Sequence, residues 1–234
     1  MATTPRHPYP QILGVPGLSL SGAQAWAASD EAREQGRKGE ERTARVLSQI
    51  LVPNGPTVLH SLRLPMSGID ADVDHVVVAG RNVWILDSKV WKPAVYWTIG
   101  GKTRRGLRRI PFADKHTSEM AVTAIGRLLA TRGVSAVVHR PYLVVWPSNR
   151  SKSMRLGLYR PRGARVVHGE VLDTKLDRIA AGGPADQDVV RVLYPLLSTA
   201  RLAAMRLPED RLHDHDVGPQ LASNGRPGGI VDEF

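Results

Sequence analysis

Apolar and polar positions along the middle of the chain predict a β-rich centre enclosed by helices. Two strong strand patterns, Val73–Ala79 and Asn82–Val90, are separated only by Gly80-Arg81, which predicts a tight hairpin. Shorter patterns on either side predict further strands at Thr57–Leu64, Ala94–Ile99, Val134–Val138, Tyr142–Trp146 and Val166–Val171. We therefore expect a sheet of several strands at the centre of the fold.

Helical spacing of apolar residues predicts helices before and after these strands. Ser29 or Asp30 can cap a first helix, which Pro53-Asn54-Gly55-Pro56 ends. The other predicted helices are Thr117–Ala130, Asp173–Ala180 and Ala185–Leu207, the last bent or split at Pro195, because proline lacks the backbone N–H. This order of elements predicts an α/β fold with a mixed central β-sheet flanked by helices.

The two ends of the chain differ from this centre. Residues 1–28, rich in proline at their start, are expected to form an extended, flexible arm. Residues 29–207 are expected to form one domain, since domains commonly hold about 100–200 residues. Residues 208–234 hold six Asp+Glu against two Arg and are expected to be a disordered acidic tail.

Charge and composition narrow the function. The chain carries a net charge of +10, and without the acidic tail the first 207 residues carry +14, which favours a polyanionic partner such as nucleic acid. An anionic membrane is the main rival, but no apolar run reaches the roughly 18–20 residues of a spanning helix. The sequence has no cysteine and no apolar leader, so we expect a cytoplasmic protein whose metals are held by oxygen or imidazole ligands.

Three charged residues on the two strong strands predict a chemical centre. Asp87 and Lys89 are two positions apart on one strand and therefore share a face. The hairpin can bring Asp74, on the preceding strand, close to Asp87. Two converging carboxylates repel each other unless a cation joins them, and Mg²⁺ prefers such oxygen ligands. The pattern therefore predicts a divalent-metal site.

Other polar residues near this centre have less specific roles. Glu40 lies at the edge of the buried face of the first helix, and Gly39 would let that helix approach the sheet closely. Asp70 and Asp72 are expected to be polar residues at a turn and a strand entry, although Asp72 shares the face of Asp74 and could assist it. His75 points to the opposite face and is interpreted as a structural histidine with a partner.

A basic stretch follows the predicted strands directly and is interpreted as a loop or hairpin rim that contacts the DNA backbone. Trp91, Tyr96 and Trp97 lie close to it in sequence and are candidates for stacking on bases. Trp84 and Trp146 lie within strands and are expected to be core residues. The basic residues are Lys102, Arg104, Arg105, Arg108 and Arg109.

Three motifs in succession resemble those of the nuclease-related domain (NERD) family of the PD-(D/E)XK nuclease superfamily. The first is a helix segment with Gly-Glu, the second a strand that contains Asp-His-Val-Val, and the third a strand that ends in acidic-x-Lys. The likeness covers roughly Gly36–Leu129 and is weaker to about Ala180. The motifs are Gly36–Glu40, Leu64-Pro65 with Ile69–Val78, and Trp84–Lys89.

The resemblance implies a restriction-endonuclease-like fold and phosphodiester cleavage with Mg²⁺ or Mn²⁺. Metal ligands would be Asp74, Asp87 and the Ser88 carbonyl, with Glu40 as a further ligand or supporting group. Lys89 would orient or deprotonate the attacking water, or neutralise charge on the phosphate. The family commonly carries a Gln near the second helix, where this sequence has His116 and Thr117 instead.

The function expected from these observations is metal-dependent hydrolysis of DNA, by an endonuclease rather than an exonuclease. Two alternatives stay open at this point: a catalytically degenerate nucleic-acid-binding protein of the same fold, and an RNA-directed nuclease. Because many nucleases of this class cut as dimers, a homodimer with Ala185–Leu207 in its interface is a further hypothesis.

Overall fold

A mixed β-sheet forms the centre of a computed structural model that describes residues 11–18, 30–66, 69–114 and 117–200. Its strands lie in the order β1-β2-β3-β4-β9-β11, and β8 pairs with β4. Strands β2, β3 and β4 are antiparallel, whereas β4, β9 and β11 are parallel, so the prediction of a mixed sheet is confirmed. The strands are β1 (Ile12–Leu13), β2 (Thr57–Met66), β3 (Ile69–Ala79), β4 (Asn82–Trp91), β8 (Val137–Val138), β9 (Tyr142–Pro147) and β11 (Arg165–His168).

A second, four-stranded sheet lies in the order β10-β5-β6-β7. The basic stretch forms β6 and β7, in agreement with the prediction of a hairpin rim. Strand β10 was not predicted, because Gly157 interrupts a segment with only two leucines. The strands are β5 (Val95–Ile99), β6 (Lys102–Arg105), β7 (Arg108–Arg109) and β10 (Arg155–Leu158).

Helices cover both faces of the central sheet. The predicted first and second helices are confirmed and extend to Leu47 and Thr131. Short 3₁₀ turns follow or precede the helices at Ser48–Ile50, Gly169–Val171, Asp173–Lys175 and Tyr194–Leu196. The helices are α1 (Asp30–Leu47), α2 (Thr117–Thr131), α3 (Leu176–Ala180) and α4 (Gln187–Leu193).

The predicted split of the helix Ala185–Leu207 at Pro195 is confirmed, since residues 198–200 are helical again after the turn, but the start of the helix is wrong by two residues. Asp186 caps α4 by accepting from the N–H groups of Asp188 and Val189, so the helix begins later than predicted. It ends at Leu193, because Pro195 lies in a 3₁₀ turn, after which Leu197 is extended and bridges to β2. The part of this prediction beyond residue 200, and the whole acidic tail, lie outside the described residues.

The bounds of three other predicted elements, two strands and one helix, need correction. Only the last two residues of Val134–Val138 form a strand, since the preceding residues leave α2 through a turn. The strand predicted as Val166–Val171 ends at His168, because Gly169 starts a 3₁₀ turn directly over the Trp146 indole, where an added Cβ would lie 2.2 Å from the ring. Asp173–Ala180 is α-helical only from Leu176.

The core has a layer on each face of the central sheet. Val76, Val83 and Ile85 pack against the inner sides of α2 and α4. The other face packs against α1 and α3 and includes Trp84 and Trp146, whose predicted burial is confirmed. Within the described residues, no helix has the length and apolar character needed to cross a bilayer.

The first described segment, residues 11–18 of the predicted arm, lies against the central sheet. Ile12 and Leu13 form β1, which pairs in parallel with Val58 and Leu59 of β2. Leu13 is buried in the core layer beneath α4. This short strand covers one edge of the sheet, and the chain after it contacts Glu40 through Gly17.

Candidate active site

The β3–β4 hairpin brings two of the predicted site residues together. Gly80 has a φ of +55° and turns the chain tightly, so that Ala79 pairs with Asn82 and the register continues to His75 and Leu86. Just beyond this last pair, a carboxylate oxygen of Asp74 accepts a hydrogen bond from the Ser88 N–H at 2.6 Å. The side chain of Asp74 therefore lies against β4 at Asp87-Ser88, as the hairpin predicts.

Lys89 and Asp87 lie on the same face of β4 and contact each other directly. The Lys89 ammonium donates to one Asp87 oxygen at 2.5 Å. The Asp87 side chain is 20% exposed and that of Lys89 is 44% exposed, so both reach the surface of the domain. A solvent-accessible acid and base thus lie beside the buried carboxylate of Asp74.

Glu40 comes to the same place from α1 and is almost completely buried, with 2% exposure. One of its oxygens accepts from the backbone N–H of Gly17 at 2.8 Å. Burial raises the pKa of Glu40 to about 7, Lys89 and the Gly17 N–H lower it in part, and Asp87 and Asp72 raise it further. A buried acid with such a pKa is short of positive charge in its surroundings.

Asp74 is subject to the same electrostatic conditions. Burial, and then the nearby charge of Glu40, raise the pKa of Asp74 well above its usual value, while Lys89 and the Ser88 N–H oppose the shift. Burial alone would lower the pKa of Lys89, but the charges of Asp87, Asp74 and Glu40 outweigh it and raise that pKa. Three carboxylates therefore share one lysine, which remains cationic at neutral pH.

Thr43 fixes α1 against this part of the sheet. Its hydroxyl oxygen accepts from the Ser88 hydroxyl at 2.8 Å and from the Trp146 indole N–H at 2.9 Å. The same hydroxyl donates to the carbonyl of Gly39 at 3.2 Å. A Cβ added at Gly39 would lie 2.7 Å from a methyl group of Val90, so the close approach expected from this glycine is confirmed.

Ser118 is a contact of the site that sequence reasoning did not identify. It lies in the first turn of α2, and its hydroxyl donates to the second oxygen of Asp87 at 3.4 Å. The NERD resemblance implies a Gln in this region, where the sequence has His116 and Thr117. A search for any hydrogen-bonding side chain in the first turn of the predicted helix would have included Ser118. The side chains of Asp70, His116 and Thr117 lie outside the described residues.

His75 has a structural partner, as predicted, and lies away from the acidic cluster. Its Nδ1 is 2.8 Å from Nδ1 of His60, the residue opposite it on β2, and one of the two nitrogens must donate the shared proton. Burial lowers the pKa of His60 to about 4 and lowers that of His75 well below its usual value. Both rings are therefore neutral at physiological pH.

The second sheet carries all five residues of the predicted DNA contact on β6 and β7. Of the three aromatic residues considered for stacking on bases, Trp91 and Tyr96 are 7% and 1% exposed, so that prediction is wrong for both. They pack instead in a core between the second sheet and β9, because their strand faces are turned inward. Trp97 is the aromatic residue of the three that reaches the surface.

The donor set determines which ligand this cluster suits. Asp74 accepts from the Ser88 N–H, Asp87 precedes Ser88 directly on β4, and Glu40 lies close enough to raise the pKa of Asp74. Carboxylate and carbonyl oxygens are the donors that Mg²⁺ and Mn²⁺ prefer. In the described part of the chain, no three Asp, Glu or His side chains lie close enough together to hold a cation by themselves. A site here would therefore use two carboxylates, main-chain oxygen and water, which fits the open coordination of Mg²⁺.

A mixed sheet flanked by helices, with acidic residues and a lysine where its antiparallel and parallel parts meet, is consistent with the restriction-endonuclease-like class of fold. Residues 35–142 match the family model described as nuclease-related domain, NERD. The predicted resemblance is thereby confirmed over these residues, and the NERD family is part of the PD-(D/E)XK-like nuclease superfamily. No curated protein and no solved structure matched the chain significantly.

Proposed function

We propose that this protein is a metal-dependent nuclease that hydrolyses DNA phosphodiester bonds. The observation that carries the proposal is the convergence of Asp74, Asp87 and Lys89 at the end of the β3–β4 hairpin. The nuclease-related domain supports the reaction class. The cationic second sheet beside the site supports a polyanionic substrate.

Asp74, Asp87 and the Ser88 carbonyl would hold the metal, with Glu40 as a direct or water-mediated ligand. When bound, Mg²⁺ or Mn²⁺ would polarise the scissile phosphate and lower the pKa of a coordinated water. It would also supply the positive charge that the buried carboxylates lack, since the pKa values of both Glu40 and Asp74 are raised.

Lys89 is best suited to electrostatic stabilisation. Its raised pKa keeps the ammonium charged, so it serves poorly as a general base at neutral pH. A fixed cation near the scissile phosphate stabilises the negative charge that develops on the phosphate oxygens in the transition state. The five basic residues of β6 and β7 would contact backbone phosphates and hold the substrate beside this centre.

The test is digestion of supercoiled, linear and single-stranded DNA by the full chain in Mg²⁺, Mn²⁺ or EDTA. We expect cutting that depends on metal, with nicking of closed circles as evidence for internal cleavage. Asp87→Asn and Lys89→Ala should each slow cutting by about 100-fold or more, because each removes charge stabilisation from the transition state. Lys175→Ala, which changes a lysine remote from the site, is the matched control.

In EDTA, the DNA affinity of Asp87→Asn should differ less than threefold from that of the wild type. The reason is that the residues proposed for cleavage are separate from those proposed to bind the DNA phosphates. Cutting that survives in both variants would rule out this centre. Equal cutting of RNA and DNA substrates of the same sequence would widen the substrate class.

A catalytically degenerate DNA-binding protein is the second candidate. The observation that favours it is the ion pair of Lys89 with Asp87, in which the lysine occupies an oxygen that a metal would need. Calorimetric titration with Mn²⁺ separates the two candidates. Heat of binding that disappears in Asp87→Asn supports the nuclease, whereas no binding of Mn²⁺ together with no cutting supports the degenerate protein.

A further inference from the structure

Positive charge is concentrated in two short segments of the chain. Residues 92–113 and 148–169 together contain 12 Lys+Arg and no Asp or Glu. The rest of the chain has 20 Lys+Arg and 22 Asp+Glu, so all the net positive charge lies in these two segments. Together they build the second sheet, since β5, β6 and β7 come from the first segment and β10 from the second.

One face of the second sheet is buried against the central sheet. Tyr96 and Leu156 pack on Leu143 and Val145 of β9. These two positions of β9 pair with Asp87 and Lys89 of β4 and therefore share their face. The second sheet thus covers the central sheet immediately beside the candidate active site.

The opposite face, which we call the outer face, combines an apolar strand with a cationic one. On β5 the residues that alternate with buried Tyr96 are Val95, Trp97 and Ile99, with Val95 45% and Ile99 64% exposed. Antiparallel register places Arg104 beside Trp97 and Lys102 beside Ile99. Arg109 follows beside Arg104 on β7, and Leu158 of β10, 66% exposed, pairs with Trp97 on its other side.

Hydrogen bonds hold the centre of the outer face in place. The Trp97 indole N–H donates to the carbonyl of Gly106 at 2.8 Å, and the Arg104 guanidinium lies over the Trp97 ring at 5.5 Å. Arg104 also donates to the carbonyl of Leu107 at 2.7 Å. The Gly106 N–H donates to the backbone carbonyl of Val95 at 2.9 Å. The aromatic ring and its cation are therefore ordered before any ligand binds.

We propose that the outer face binds single-stranded DNA, with bases against Trp97 and Ile99 and phosphates on Lys102, Arg104 and Arg109. Aromatic rings beside cations form the usual surface for unpaired strands, because every base has a face that can stack. A duplex hides its base faces, so it could use the cations but not the exposed apolar side chains. From Val95 to Ile99 the strand spans roughly 13 Å, enough for about two splayed nucleotides.

Charge complementarity supports a nucleic acid, and the choice of DNA over RNA rests on the proposed function. The consequence is a nuclease that holds an unpaired strand next to its centre, so its preferred substrates would be single strands, flaps or unwound ends. The proposed binding of a single strand goes beyond the proposed cleavage, since binding to the outer face needs no metal.

The experiment is fluorescence anisotropy of the full chain with a labelled 15-nucleotide oligothymidine, or with a mixed-sequence duplex of that length, in EDTA. The single strand should bind at least tenfold more tightly than the duplex. Trp97→Ala should weaken binding of the single strand by about tenfold and change duplex binding less than twofold, whereas Trp97→Phe keeps most of the affinity. Ile99→Ser should weaken it several-fold. Val137→Ser, which changes an exposed apolar residue of β8, should not.

Circular dichroism and melting of each variant establish that it folds. Equal losses for single strand and duplex, a preference for the duplex, a tenfold preference for oligouridine, or tight binding to phosphatidylglycerol vesicles without oligothymidine binding would each overturn the proposal. The outcome is separable from that of the proposed function. Tight oligothymidine binding without metal-dependent cutting supports the outer face and rejects the nuclease, and cutting without single-strand preference does the reverse.

Discussion

Ser118 links the candidate site to α2 through a single hydroxyl on Asp87. The hydrogen bond is long, at 3.4 Å, so its contribution is that of a weak neutral donor to a carboxylate. NERD proteins, which this sequence resembles, commonly carry a Gln in this region, whose longer side chain would reach farther. Because the Ser118 side chain is short, the orientation of the Asp87 carboxylate depends more on its ion pair with Lys89.

We expect Ser118→Ala to slow metal-dependent cutting by about fivefold, since one net hydrogen bond contributes about 1 kcal/mol. Initial rates of plasmid nicking at saturating Mg²⁺ measure the effect. Thr123→Ala, which removes an exposed hydroxyl from the same helix, is the matched control. A rate for Ser118→Ala equal to that of Thr123→Ala would limit Ser118 to a role in helix packing.

The position of α1 on the central sheet depends on Thr43. Its hydroxyl is the acceptor for two buried donors, one on Ser88 and one on Trp146. Ser88 follows Asp87 directly, and α1 carries Glu40, so this hydroxyl ties two parts of the candidate site together. An isosteric apolar replacement would leave both donors without that acceptor.

Thr43→Val should lower the free energy of unfolding by about 2–4 kcal/mol, because each unsatisfied buried donor costs about 1–3 kcal/mol. Thr43→Ser keeps the hydroxyl and should lose less than half of that amount. Urea unfolding followed by tryptophan fluorescence measures both. If the two variants are equally stable, the hydrogen bonds of this hydroxyl contribute little and packing holds the helix.

The strands and helices that could be predicted are those whose signals are local. The β3–β4 hairpin follows from two alternating runs around Gly80, and this turn also determines the meeting of Asp74 with Asp87. The hairpin of the basic stretch lacks apolar alternation, yet pairing with β5 organises it. The break of the helix Ala185–Leu207 at Pro195 also followed from a local signal, since proline lacks the backbone N–H, whereas the later start of α4 behind the Asp186 cap was not predicted.

Burial of particular side chains was harder to predict than the elements themselves. Trp91, Tyr96 and Trp97 are equivalent in sequence as aromatic neighbours of a basic stretch, but Trp91 lies at the end of β4, and the register of β5 with β6 decides that Trp97 rather than Tyr96 faces outward. Gly17 was likewise not identifiable as a partner of Glu40, since 23 residues separate them along the chain. Contacts of this kind depend on tertiary structure alone.

At the scale of the whole molecule, the buried His60–His75 pair couples folding to pH. His60 has a pKa of about 4 in the fold and about 6.5 when unfolded, so the unfolded state binds the proton first. The stability contributed by the neutral ring is complete above about pH 6.5 and is lost as the pH falls towards 4, by about 1.4 kcal/mol per pH unit. Glu40 acts in the opposite direction, since its pKa is raised.

Comparison with a variant isolates the histidine effect from that of Glu40. His60→Leu combined with His75→Leu removes both polar partners together, so neither ring nitrogen is left without the other. We expect the wild type to lose stability relative to this variant between pH 7 and pH 5. Urea midpoints at pH 7, 6 and 5 measure the difference. A constant difference over this range would mean that the pair does not titrate with folding.

The uneven distribution of charge is a second property of the whole molecule. The sequence alone indicated a basic body with an acidic tail, but the fold brings together the two segments that hold the excess cations, and six of their 12 Lys+Arg lie in strands of the second sheet. The remainder of the chain is nearly balanced, with 20 Lys+Arg and 22 Asp+Glu. A polyanion approaching the protein is therefore attracted to one side, where the candidate site lies at the edge of the second sheet.

The second sheet is built from two excursions that leave the central sheet at different points, one after β4 and one after β9, and the parallel pairing of β10 with β5 joins them. The match to the nuclease-related domain includes the first excursion and ends at residue 142, before the second begins. Exchange of the second excursion alone would expose the edge of β5, and exchange of the first alone would expose the edge of β10. In recombination or engineering, the two must therefore be inherited as a pair, while the β3–β4 hairpin beside them can stay unchanged.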